Sequence, residues 1–419
     1  VTTTLTAPPR PGRIRTLFVG NMAARLGALA ALAVATVMVA RAGGPSLVGA
    51  FTLLRVLPGL FGVLAAAGLP SAAPYFLGSM PDESRLRSTV SVLAVLGSTL
   101  ATVVWLALTP VLHYAFFRTW GVSLVLLGAA AVFTQLFVAV GKALLQGGQD
   151  LNGANLGIVA EEAAYLPIYA VALAFGRGAT PMVVALVLAD AVVALGIAAR
   201  LARNGFFRGW HRPSWSLGRT IAGYGLRGQL GGLLSLVNLR LDVAILGALA
   251  GPAVLGVYSI ASKYAELLRL PGLAVNYVLY PSFARGGATD ARTRTRALLP
   301  RAAGLNALGA LPLAIAAAPL LPLVYGRDFT GAVHPAWILL FGLLGEGIAG
   351  LIGAYLYGVG RPGLNSVAIG AGVVVTVVLD LLLIPRYGAV GAAVASALAY
   401  LATDATLLVC FVRTGKSRS

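Results

Sequence analysis

The stretch GPSLVGAFTLLRVLPGLFGVLAAAGLPSAAPYF, residues 44 to 76, returns in outline as GPAVLGVYSIASKYAELLRLPGLAVNYVLYPSF, residues 251 to 283. Laid together without a gap, Gly44, Pro45, Gly49, Leu60, Pro74 and Phe76 meet Gly251, Pro252, Gly256, Leu267, Pro281 and Phe283. The offset is close to half of the 419 residues, so the shared register points to duplication of a half-chain. Each copy opens at a Gly-Pro turn and continues as an apolar run of about 30 residues, which as helix measures roughly 45 Å. A hydrocarbon core is only about 30 Å thick. These helices must therefore tilt, bend or project beyond the lipid. Pro58 and Pro70 in the first copy and Pro271 in the second offer places to bend, since proline removes a backbone donor and crowds the preceding turn.

The rest of the chain has the same character. It is 58% hydrophobic and 11% charged, against the roughly 25% charged residues of a soluble domain. The chain reads as an all-α integral membrane protein. Twelve runs are long enough to cross, near 17–40, 46–76, 88–112, 122–146, 154–176, 180–199, 220–249, 253–283, 302–324, 333–359, 363–384 and 388–411. Both copies of the repeat start on the same side, so the halves are parallel, related by an axis along the membrane normal. The expected architecture is two six-helix bundles, residues 1–205 and 206–419, facing each other across a cleft.

A formal charge of +18 raises nucleic acid as a partner, but the positions of the cations exclude it. With a cytosolic N-terminus, nineteen of the thirty-one lysines and arginines fall in inner segments, among them Arg10, Arg85, Arg200, Arg212, Arg294, Arg361 and Lys416. Outer loops hold only Arg41, Arg118, Arg177, Arg327 and Arg386. This is the positive-inside pattern, and it predicts a multi-pass protein with both termini in the cytosol. The basic start and apolar run also resemble a signal peptide, but Leu17 to Ala40 exceeds a typical signal core and reads as the first span. The single Cys410 leaves no disulfide to form.

Small residues mark where helices meet. In IPRYGAVGAAVASALAY, residues 384 to 400, Gly388, Ala392, Ser396 and Tyr400 share one helical face, and Gly391, Ala395 and Ala399 the next. Within lipid, helices associate through such close backbone approach. The twelfth span is therefore expected to be scaffold, not a ligand site.

Ionisable groups inside spans are expensive and default to functional candidates. Lys142, Arg227, Asp380 and Asp404 lie within about two turns of a membrane face and are expected to snorkel. Lys263, Glu266 and Arg269 follow at intervals of three, so Glu266 can pair with either neighbour. Arg25 and Arg55 have no acid anywhere in the first four spans. In the repeat Arg55 falls opposite Ser262, next to Lys263, so each half carries a cation at similar depth. Two readings follow for Arg25, Arg55, Lys263 and Arg269: a wet, cation-lined chamber that holds phosphate oxygens, or structural ion pairs. Glu161, Glu162 and Asp190 are the candidates for ion coupling, since a desolvated carboxylate takes up a proton or ligates Na⁺.

Enzyme chemistry finds no support. His113, His211 and His334 lack metal-ligand spacing, no Walker-type loop occurs, and the longest polar segment, around Ala202 to Arg219, is under twenty residues. No catalytic residue, metal or cofactor is expected, beyond H⁺ or Na⁺ as a coupling ion.

The segments GPSLVGAF…GLPSAAPYF, LRLDVAILGALAGPAVLGVYSIASKYAELLRLP (239 to 271) and LLLIPRYGAVGAAVASALAY (381 to 400), on twelve spans in two halves, resemble the Wzx-type oligosaccharide flippases. These polysaccharide biosynthesis proteins belong to the MOP exporter superfamily, with its MATE-like fold. The resemblance implies export of undecaprenyl-pyrophosphate-linked sugar units from the inner to the outer leaflet of a bacterial cytoplasmic membrane by alternating access. Implied partners are that lipid-linked sugar pyrophosphate, membrane lipids, and a polysaccharide polymerase or glycosyltransferases. A related lipid II flippase carries pyrophosphate-facing arginines in its first, second and eighth helices, where Arg25, Arg55 and either Lys263 or Arg269 stand here. That relative has fourteen helices. The alternatives are a MATE-type multidrug/cation antiporter, which Glu161, Glu162 and Asp190 would suit, and a non-transporting scaffold for glycosyltransferases.

Overall fold

The computed structural model describes residues 11–65, 68–80, 84–270 and 288–416. They form helices α1 (Pro11–Ala65), α2 (Leu69–Ser79), α3 (Ser84–Ala107), α4 (Thr109–Phe116), α5 (Val122–Gly147), α6 (Leu151–Ala163), α7 (Tyr165–Ala172) and α8 (Ala179–Arg203). α9 (Trp215–Ala265), α10 (Ala288–Tyr325), α11 (Val333–Gly342), α12 (Glu346–Gly358) and α13 (Pro362–Lys416) follow, with short 3₁₀ turns between some of them. No strand occurs among the described residues.

Among the described residues, eight stretches are long and apolar enough to cross a membrane. Three of them leave the helical region at a glycine: α1 at Gly43 and Gly44, α9 at Gly251, and α13 at Gly388. Each of these is a pair of helices in tandem, and α6 with α7 completes a set of twelve crossings, as the hydropathy pattern predicts. The protein is a multi-span helical membrane protein.

The repeat is physical. Gly44 (φ 66°, ψ −161°) and Gly251 (φ 82°, ψ 173°) occupy a region essentially closed to residues with a Cβ. Pro45 and Pro252 then start the next helix, where a missing N–H costs nothing. Five residues into each copy the helices meet reciprocally. A Cβ on Gly49 would stand 1.8 Å from the Pro252 carbonyl oxygen, and one on Gly256 would stand 1.9 Å from that of Pro45. Equivalent residues thus touch each other's partners, as a local two-fold relation requires.

The bends fall elsewhere than proline alone suggests. α1 runs through Pro58, and the break in the second crossing comes after Ala65, at Gly68 (φ 75°), with Pro70 in the first turn of α2. Pro271 and the remainder of the second copy lie outside the described residues.

Two compact units emerge. The first comprises residues 1–38, 61–109 and 122–229; the second comprises 39–60, 110–121 and 230–419. α5 is the hub of the first, packed against α2, α3, α6 and α8. Small residues set the approach: Gly147 lies against Pro74 and Leu77, and Gly141 against Ile197. The fully buried Trp105 donates its indole N–H to the Val125 carbonyl at 2.8 Å. In the second unit α13 packs on α11 and α12, and α10 on α12. Gly342 sits against Ala397, Gly372 against Thr403 and Gly345 against Asp404, as the small-residue face predicts.

Asp150 closes the arginine-rich end of the first unit. Its carboxylate caps α6 through the Gly153 N–H (2.9 Å) and accepts from Arg200 at 2.6 and 2.9 Å and from Asn204 at 2.8 Å. The Arg200 hydrogen bonds, then the Gly153 cap, hold its pKa well below the usual carboxylate range. A depressed pKa contributes stability above the ordinary value near 3.9, lost as pH falls through the folded one. Asp150→Ala should cost about 1 to 2 kcal/mol, most of it the cap, because Arg200 is partly exposed. Thermal unfolding in detergent should show a gap from wild type that is constant between pH 8 and 5 and narrows only below about pH 4.

Candidate functional site

In the first unit, Arg25 is exposed on α1 and donates from Nε to Asn21 Oδ1 at 3.0 Å. Asn21 is itself oriented by α6, donating from Nδ2 to Asn155 Oδ1 at 2.8 Å. Gly20 and Gly27 let α1 lie close to Asn155 and Val159 of α6. The guanidinium is therefore oriented by an amide relay from α6 through Asn21. Glu161 on α6 pairs with Lys142 on α5. Lys142, expected to snorkel, instead reaches that partner. Asp190 is buried on α8, at 3% exposure, and Glu162 is half-buried beside Glu161.

In the second unit, Arg55 lies over the Phe51 ring, 5.4 Å from its centroid. Lys263 is half-buried near the end of α9. Arg269 does not pair along its own helix; it donates to Glu346 Oε2 at 3.1 Å and lies over the Tyr400 ring at 5.2 Å. With both side chains about a quarter exposed, Glu346→Ala should cost about 2 to 3 kcal/mol by stranding the guanidinium. Replacing both, as Arg269→Met with Glu346→Leu, should restore most of it; equal losses in the double and single variants would contradict the pairing.

The seam that sequence reasoning missed runs deeper. Asp242, 7% exposed, accepts the Tyr258 hydroxyl at 2.5 Å and the Val243 N–H at 2.7 Å. Tyr258 spends its one proton on Asp242, so Ser396, 2.9 Å away, must be the donor to Tyr258. Asp380 is fully buried, neither of its oxygens finds a hydrogen-bond partner among the described residues, and Asp242 repels it electrostatically. Asp404 is also buried, with Oδ2 unsatisfied among the described residues and Glu346 and Arg269 as electrostatic neighbours. The expectation that Asp380 and Asp404 snorkel is thus corrected: both side chains are buried, Asp404 against Gly345 in the turn between α11 and α12. The Arg227 side chain lies outside the described residues. The twelfth span contributes Ser396, Tyr400 and Asp404 to these polar contacts, through Tyr258, Arg269 and Gly345 respectively.

An ionised carboxylate with no partner in an apolar interior is strongly disfavoured. Among the described residues Asp380 is the buried carboxylate whose two oxygens both lack a hydrogen-bond partner. One signal for this seam was present in the repeat: Tyr258 stands where the first half has Phe51, a hydroxyl added at an otherwise equivalent position. Among the described residues no three His, Cys, Asp or Glu side chains gather as a metal cluster.

A model of polysaccharide biosynthesis proteins matches residues 38–334. The probable low-salt glycan biosynthesis flippase Agl15 of Haloferax volcanii is 24% identical over 193 residues, 45% of this chain and 41% of that protein, so the match spans about two fifths of the relative's length. Among solved structures, the lipid II flippase MurJ in an inward closed conformation superposes with a TM-score of 0.71 at 13% identity, covering 94% of this chain and 87% of that one. An inward-facing multidrug resistance MATE family transporter of the MOP superfamily gives a TM-score of 0.74 at 18% identity, covering 96% and 99%. At these identities the likeness is one of fold.

Proposed function

Because this chain belongs to the polysaccharide biosynthesis protein family, we propose that it is a transporter that flips a lipid-linked oligosaccharide across the membrane. The cargo is a sugar unit on a polyprenyl pyrophosphate such as undecaprenyl pyrophosphate, carried from the inner to the outer leaflet by alternating access. The family match over residues 38–334 carries this reading, and the flippase named among its relatives agrees with it. The membrane is the bacterial cytoplasmic membrane with both termini cytosolic, in keeping with the arginine-rich ends of α8 and α13. Residues 1–205 and 206–419 serve as the two lobes of the cycle. Glycosyltransferases or a polymerase supply or consume the cargo.

Arg25, Arg55 and Lys263 are the cations that meet the diphosphate during transport, since guanidinium groups hold phosphate oxygens bidentately. Arg269 supports them from its pair with Glu346. The driving ion, H⁺ or Na⁺, binds at Asp380, whose two buried oxygens have no hydrogen-bond partner among the described residues, with Asp242 as the second carboxylate of the site. Asp190 and Glu162 are secondary ion positions, and Glu161 is committed to Lys142.

Arg25→Ala and Arg55→Ala, in protein inserted at normal levels, should each cut surface polysaccharide about ten- to a hundredfold, each removing a charge-assisted contact of about 1.5 to 3 kcal/mol. The lipid-linked unit should accumulate on the inner leaflet. Unchanged polysaccharide in both variants overturns the assignment.

A further inference from the structure

The first turns of α9 present a face that neither the packing nor the cations of the transport reading use. Trp215, Ser216, Arg219, Thr220 and Tyr224 lie along one side of the helix and, with Phe76 of α2, line a recess of about 1000 Å³ within the first unit. Trp215 is 80% exposed. α2 braces Tyr224: Tyr75 stacks on it with ring centroids 4.6 Å apart and planes at 11°, and Phe76 meets the same ring edge-on at 5.4 Å. Gly223 keeps the floor open, with nothing within 4 Å of where a Cβ would stand.

Single tryptophans and tyrosines at a membrane interface anchor to lipid headgroups. A concave group of three rings, Phe76, Trp215 and Tyr224, with two side-chain hydroxyls and a guanidinium on α9 is a different object. Flat apolar faces beside donors and acceptors match a pyranose ring, which shows a C–H face above and below and hydroxyls around its rim. The recess is at the upper end of the roughly 300 to 1000 Å³ range of small-molecule sites, large enough for more than one sugar. It directly follows the basic run Arg200, Arg203, Arg208 and Arg212, so it opens at the arginine-rich end where a cytosolic cargo would arrive.

We propose that this recess is a sugar-binding subsite that takes the glycan of the cargo, and so selects among repeat units. Trp215 stacks on one sugar face and Tyr224, braced by Tyr75 and Phe76, on another. Arg219 donates to the ring hydroxyls or an acidic substituent, while the Thr220 hydroxyl, whose proton goes to the Ser216 carbonyl at 3.0 Å, accepts from a ring hydroxyl. The inference rests on the flippase reading and adds the group that reads the sugar.

The test uses the full chain in its own cells, with the photo-crosslinker p-benzoylphenylalanine substituted at Thr220. Irradiation should yield an adduct bearing the glycan diphosphate lipid; an adduct of phospholipid only, of a protein, or none at all overturns the subsite. Independently, Trp215→Ala should lower transport at limiting cargo about tenfold, with Trp215→Phe keeping most of it, since the ring is too exposed to be a packing residue. Transport unchanged in Trp215→Ala overturns the subsite as well. The two readings fail differently. If cells lacking the whole chain still export glycan, the flippase reading falls; if export needs the chain but ignores Trp215, only the subsite does.

Discussion

Gly256→Val should leave no folded protein in the membrane, and Gly49→Val should do the same. The added Cβ would meet the Pro45 or Pro252 carbonyl oxygen inside 2 Å, and the atom in the way is backbone that cannot rotate aside. Overpacking normally costs about 1 to 3 kcal/mol because side chains yield. Here two helices must separate, and about 4 kcal/mol or more is expected, a large share of a typical 5 to 15 kcal/mol. Gly304→Ala is the matched control: Gly304 sits in α10 with nothing within 4 Å, so that variant should be neutral or gain up to about 1 kcal/mol. Size-exclusion profiles and thermal unfolding in detergent decide the matter. A monodisperse Gly256→Val protein melting near wild type would mean that the two copies do not meet as described.

Asp380→Asn and Asp242→Asn should keep the fold and lose the response to the driving ion. Asparagine has the shape of a neutral aspartic acid, so a site that holds a proton loses little packing, whereas a site that holds Na⁺ loses the ion's charge partner. If Na⁺ is the ion, raising it to about a hundredfold over its dissociation constant should stabilise wild type by about 2.7 kcal/mol, and neither variant should respond. If the proton is the ion, Na⁺ does nothing, and the pH dependence of transport seen in wild type should flatten in both variants. Gradient-driven transport should fall at least about tenfold in either case, while exchange down the cargo's own gradient persists. Variants that track wild type in both Na⁺ and pH would remove the second unit from the coupling.

The two predictions differ in how far ahead of the structure they were visible. The Gly-Pro turns at 44 and 251 and their glycines five residues on were legible because a backbone region closed to a Cβ, or a helix contact with no room for one, accepts a single residue type. Such demands are local and are written directly into the chain. The ends of α1 and α2 were less so: proline marked where a bend was affordable, but Gly68 decided where it fell.

The charges followed another rule. Sequence identified Arg25, Asp190 and Arg269 as costly inside a membrane, because cost depends on residue type and depth alone. It could not pair them. Lys142 meets Glu161 across 19 positions, Arg269 meets Glu346 across 77, and Tyr258 meets Ser396 across 138. Helical periodicity fixes the face on which a side chain stands and leaves open which helix covers that face. Asp380 and Asp404 looked close enough to a surface to reach water, and only the tertiary packing buries them.

Composition, charge asymmetry and the half-chain repeat were therefore sufficient by themselves for a twelve-crossing membrane protein of two related halves, since lipid admits few solutions for a chain this apolar. The tertiary structure alone decided which carboxylates are buried and which aromatic faces line a recess, because those properties belong to the neighbours of a residue and not to the residue.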